Sequence, residues 1–122
     1  MNDYRILIVW QKAMDLVEAA YRLIRLLPRE EQLCLASQMR RAAVSIPSNI
    51  AEGNGRSSTR EYIRFLNIAR GSKQELETQL YLCIRLGYLQ PEQIDSVMAD
   101  AESVGKMLSA LIRKLQTLTP FS

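Results

Sequence analysis

Arg56, Arg60 and Arg64 stand four residues apart. On a helix, that spacing stacks side chains along one stripe. Guanidinium forks held on a rigid element can each grip a phosphate or a carboxylate through two parallel hydrogen bonds. Asn67 and Gly71 continue the line, although Arg56 can fall just outside the helix start. Like charges at this spacing mildly destabilise an isolated helix. Against the plain reading, a solvated helix face, the row therefore suggests a purpose: an anion or nucleic-acid surface, or ion pairing across a subunit interface.

A second signal lies just before it. Ala42, Ala43, Ser45, Ser48, Ala51, Gly53, Ala69, Gly71 and Ser72 gather small side chains on neighbouring segments. A glycine inside a helix costs about 1 kcal/mol against alanine, so Gly71 implies close approach, either between two helices of one chain or by another subunit. Pro47 interrupts the same segment, where a helix loses about 3 kcal/mol or more. The expectation is a continuous helix kinked at Pro47; the alternative is a break with a new turn near Asn49. Glu52 is the one acid between Ser45 and Gly53, and reads as a helix-turn cap or an arginine partner.

Other chemistry is missing. The chain has no histidine, which removes the commonest general base and metal ligand. Cys34 and Cys83 are too far apart for a zinc site, and read as reduced thiols packed like small hydrophobes. No Walker loop, dinucleotide fingerprint or nucleophile elbow is present. Neither a metal nor a cofactor is expected, and no catalytic residue is assigned.

Charge supports the arginine reading. The net charge is +3 over 122 residues. Between Arg40 and Lys73 stand seven basic and two acidic residues, a local excess of +5 that leaves the remainder at −2. The apolar run Ile6 to Trp10 is far shorter than the roughly 20 residues of a membrane helix. With no basic, signal-like start, the chain is expected in the cytoplasm, away from membranes.

The positioning elements are helices. Trp10, Ala13, Met14, Val17, Ala20, Tyr21, Ile24 and Leu27 form one stripe, ended by Pro28. Leu35, Met39, Ala42, Ala43, Ile46 and Ile50 form a second, stopped at Gly53 or Gly55. Ser58 and Glu61 fit a capping box that opens a third. Its stripe is Tyr62, Phe65, Ala69, Ser72, Leu76, Leu80 and Cys83, closed by Gly87. Pro91 suits the first position of a fourth helix, whose stripe runs from Ile94 to Leu115. Short connections then predict an all-α, antiparallel up-down four-helix bundle. One domain over 1–122 is expected, with 1–7 and 118–122 frayed.

The central motif carries a resemblance. Arg41-Ala-Ala-Val-Ser-Ile-Pro-Ser-Asn-Ile-Ala-Glu-Gly53, then Gly55-Arg56, then Glu61-Tyr62-Ile-Arg-Phe-Leu-Asn-Ile-Ala-Arg-Gly-Ser72, closely resembles a bacterial four-helix-bundle family. That family includes proteins encoded in intervening sequences of large-subunit (23S) ribosomal RNA genes, and the accessory variability protein of diversity-generating retroelements. Val9-Trp10-Gln-Lys-Ala13, Tyr21, Leu27-Pro28 and Glu75-Leu76-Glu77 agree as well. The resemblance implies a non-enzymatic bundle that assembles into rings of five. Its retroelement branch binds nucleic acid and docks on a reverse transcriptase. Carried over, it makes Arg41, Arg56, Arg60, Arg64 and Arg70 the nucleic-acid candidates. Pro47, Asn49, Glu52, Gly53 and Gly71 become the candidates for a subunit contact.

The expected function is a homo-oligomeric accessory protein that binds RNA or DNA without catalysis. The rival is an adaptor whose arginines meet an acidic protein. An enzyme is disfavoured, because no paired acids fall on an apolar stripe.

Overall fold

The computed structural model describes residues 3–118. Four helices follow one another: α1 Ile8–Ile24, α2 Leu35–Asn54, α3 Thr59–Arg85 and α4 Pro91–Thr117. Short 3-10 turns, Tyr4–Ile6 and Arg29–Glu31, precede α1 and α2, and the described residues hold no strand. α1 and α3 each pack on both α2 and α4, which gives a four-sided, all-helical bundle. Of the ends expected to fray, 1–2 and 119–122 lie outside the described residues. The Tyr4 ring meets Trp10 edge-on, with centroids 5.3 Å apart.

Local chemistry sets the helix ends. The Ser58 hydroxyl accepts the Glu61 amide at 3.1 Å and starts α3. Only this half of the expected capping box is seen; the Glu61 carboxylate turns outward to Arg64. α3 ends where Gly87 takes φ +81°, a left-handed conformation that glycine adopts freely. The Tyr88 amide then reaches the Cys83 carbonyl at 2.8 Å, and the Gly87 amide reaches Ile84 at 3.0 Å, two carbonyls that a helix end leaves open. The Tyr88 hydroxyl donates to Glu31 at 2.6 Å, tying this turn to the turn before α2. Pro91 opens α4 where its missing N–H is not needed.

α2 runs unbroken through Pro47. Proline has no amide hydrogen for the Ala43 carbonyl, and the helix is tied together around that gap. The Asn49 side-chain Nδ2 donates to the carbonyl and the hydroxyl of Ser45, each at 2.8 Å. The Ser45 hydroxyl lies 2.8 Å from that of Ser72 on α3.

The core takes residues from all four helices, with Leu16, Ile24, Ile46, Ile50, Leu66, Leu76, Leu80 and Leu108 wholly buried. Each such side chain contributes about 1.5–3 kcal/mol through its removal from water. The face of α1 differs from the expected one. Val9, Ala13, Leu16, Ala20 and Ile24 point inward; Trp10, Val17 and Tyr21 are half-buried and Met14 is exposed. Apolar residues flank this helix on both sides of the core line, so periodicity alone left the buried edge open.

α2 and α3 meet through small residues. Met39 faces Cys83, with sulfurs 3.7 Å apart, Ser45 faces Ser72, and Gly53 faces Phe65. Positions thus fall on α3 as they rise on α2. A Cβ on Gly53 would lie 2.8 Å from the Phe65 Cβ and 3.2 Å from the Tyr62 carbonyl. Cys83 is buried as expected, and burial pushes its thiol up to about 11. Cys34 is exposed, not packed, because it precedes the first turn of α2.

Gly53→Ala is expected to destabilise the chain by about 1–3 kcal/mol in denaturant unfolding, since backbone and a Cβ must move. A thiol reagent at neutral pH should modify Cys34 alone in the native protein, and both cysteines in denaturant. Equal native rates would contradict the burial of Cys83.

Candidate nucleic-acid interface

The arginines fall in three places. Arg56 lies in the turn between α2 and α3, and Arg60 and Arg64 lie on the first turns of α3. Phe65 joins this group. The Arg56 guanidinium sits 4.7 Å from its ring centroid and that of Arg64 sits 4.5 Å away. Cation–π contacts at exposed sites contribute about 0.5–1 kcal/mol each, so one aromatic side chain steadies two forks. Gly53 lies against Phe65 and brings α2 close to the ring-bearing residue.

Acids reach two of the three. Arg56 pairs with Glu52 at 2.6 Å, and Arg64 pairs with Glu61 at 3.1 Å. Both pairs are largely exposed, so their stabilising contribution is small and screened by salt. Arg60, between them, makes no ion pair among the described residues. The hydrogen bonds from Arg64 hold the Glu61 carboxyl below its ordinary range, aided by the charges of Arg64, Arg56 and Arg60. The cluster therefore carries three cations and two acids, with one cation unneutralised. The N-terminus of α3, rich in free amide dipoles, adds positive potential beside it.

Arg41 and Arg70 lie elsewhere. Arg41 is exposed and faces a groove between α2 and α3, shared with Gln38, Ser45, Ser72 and Glu75. Arg70 turns towards α4, donating to the Ser109 hydroxyl at 3.2 Å and to the Asn67 side-chain oxygen at 2.9 Å. There it joins Lys73, Lys106 and Arg113 along a groove. Lys106 and Arg113 were not singled out from the sequence. Their spacing with Glu102 and Ser109, at three- and four-residue steps on α4, was the available signal.

The interface candidates also separate. Pro47 is buried and lines an apolar groove of about 340 Å³ with Tyr4, Trp10, Met14, Val17 and Val44. Asn49 is held by Ser45, Glu52 by Arg56, and Gly53 is enclosed by its own chain. Gly71 differs from the close intrachain packing considered for it. It is exposed, and a Cβ there would meet no atom within 4 Å.

The family model described as 23S rRNA-intervening sequence protein matches residues 5–110. A solved structure from Bacteroides thetaiotaomicron, of unknown function and from the S23 ribosomal protein family, is similar with a TM-score of 0.80. Sequence identity with it is 29%, covering 86% of this chain and 98% of that one. No curated protein matches the chain.

The Glu61–Arg64 contact has a direct readout. Because the folded carboxyl is held low, its contribution to stability is present above the ordinary carboxylate range. That contribution is lost as pH falls through the lowered value. In a side-chain NMR titration, Glu61 should titrate nearer the ordinary range in Arg64→Ala. An unmoved midpoint would assign the shift elsewhere.

Proposed function

This chain belongs to the 23S rRNA-intervening sequence protein family, and from that premise we propose a homo-oligomeric, non-enzymatic protein that binds RNA or DNA through backbone phosphates. The observation that carries the reading is Arg60. It is an exposed cation that makes no ion pair among the described residues, set between two arginines that an aromatic ring steadies. Forks held in this way lose less freedom on gripping a phosphate than free side chains do. Their exposed ion pairs with Glu52 and Glu61 are weak enough to exchange for phosphate.

Self-association has separate support. The groove between α1 and α2 leaves Tyr4, Met14 and Val44 at 38%, 38% and 42% exposure beside Pro47. We take this apolar groove as the face for that contact. A ring of five, which the resemblance implies, would bring five copies of the arginine cluster into one assembly.

Salt tests the reading. Binding to a mixed-sequence structured RNA should fall steeply between about 50 and 200 mM salt. Arg60→Ala with Arg64→Ala should weaken all sequences alike and lower the salt slope by about two. An absence of binding at the lowest salt would reverse the conclusion and favour an acidic protein partner for the same arginines. Sedimentation velocity addresses assembly; a monomer at micromolar concentration would end that half of the proposal.

A further inference from the structure

We propose that the groove between α3 and α4 is a second anion site, one that takes linked phosphate groups. It deepens the nucleic-acid reading and rests on that reading only for the source of the phosphates. The groove is open to solvent and has a volume of about 670 Å³, with Arg70, Lys73, Lys106 and Arg113 along it.

Three features set it apart from a solvated charged face. The first is Gly105. A Cβ there would lie 2.9 Å from the Lys73 ammonium and 3.0 Å from its Cε. Glycine weakens a helix interior, and here its lack of a side chain is what lets the lysine lie across α4. Glu77, 3.2 Å away, anchors that ammonium, and both side chains are mostly buried. The second is Arg70, whose two bonds go to neutral oxygens on Ser109 and Asn67. They fix the fork without cancelling its charge. The third is the row on α4. Lys106, Ser109 and Arg113 share one face over about 10 Å, long enough for more than one phosphate.

The acids present do not neutralise the row. Glu77 is engaged with Lys73, and Glu102 reaches Lys106 at 3.3 Å in an open, salt-screened pair. Arg113 makes no ion pair among the described residues. A concave surface with this excess focuses its field on an incoming anion. Linked phosphates occur in a nucleic-acid strand and in free polyphosphate, and the test separates the two.

Lys106→Ala with Arg113→Ala removes two exposed cations, and an unchanged melting temperature shows the fold retained. Binding of a twelve-nucleotide single-stranded RNA and of inorganic tripolyphosphate is measured for it, for wild type and for Arg60→Ala with Arg64→Ala. The groove variant should bind both probes roughly tenfold more weakly per cation removed. The Arg60/Arg64 variant should lose more RNA affinity than tripolyphosphate affinity. Lys12→Ala with Arg22→Ala, an equal charge loss on α1, should leave tripolyphosphate binding intact. Tripolyphosphate binding lost only in the groove variant, with no RNA bound by wild type, would keep the groove and remove the nucleic-acid reading. Wild-type affinity in the groove variant, equal weakening in the α1 variant, or failure of wild type to bind either probe would overturn the proposal.

Discussion

The close approach of α2 to α3 at Gly53 is the constraint on which the surface depends. Phe65 and the Tyr62 carbonyl occupy the space a side chain would need. Buried Ala42, Ala43 and Ala69 and the Ser45–Ser72 hydrogen bond extend the same seam along both helices. The seam holds the buried Phe65 in place, and its ring in turn carries Arg56 and Arg64. Gly105 works on the other side of α3 in a related way, but against the far end of a lysine rather than a backbone. A flexible ammonium can move aside and a carbonyl cannot. The first glycine therefore matters to folding, and the second to where a charge is placed.

The adjacency of the helices separates two surfaces. α1–α2 and α3–α4 are opposite sides of a four-sided bundle, because among the described residues the backbone of α1 does not come close to that of α3, nor that of α2 to that of α4. One side offers the apolar groove of Trp10, Val44 and Pro47, and the other offers the cations of the α3–α4 groove. Self-association through the first, as proposed, would leave the second open to an anion.

Much of this was legible because its causes are local. The four helices, a stop of α2 at Gly53 or Gly55 (it falls at Gly55), the stop at Gly87, the Ser58 cap and Pro91 all follow from periodicity and cap chemistry within a few residues. The long motif from Arg41 to Ser72 also sufficed to recognise the family. What was not legible depended on direction in space. α1 is apolar over a wide arc, so Leu16 was missed and Met14 was placed inside. Arg70 follows Arg64 by six residues, which turns it about 240° around α3 and into a different groove. Glu52 read as a cap or an arginine partner and meets Arg56; Glu61, assigned to the cap of α3, instead meets Arg64, a pair that three-residue spacing on one helix allowed. Lys106 and Arg113 drew no attention because they matter only once α4 lies beside Lys73.

Gly71 sits on the exposed face of α3, inside the helix, with open space where a side chain would be. Alanine at such a place typically stabilises a chain by about 0.4–1 kcal/mol, chiefly by restricting the unfolded state. The isolated subunit therefore has nothing to lose from that methyl group. Whatever such a methyl disturbs must lie outside the subunit, so position 71 can tell a defect of assembly or docking from a defect of folding.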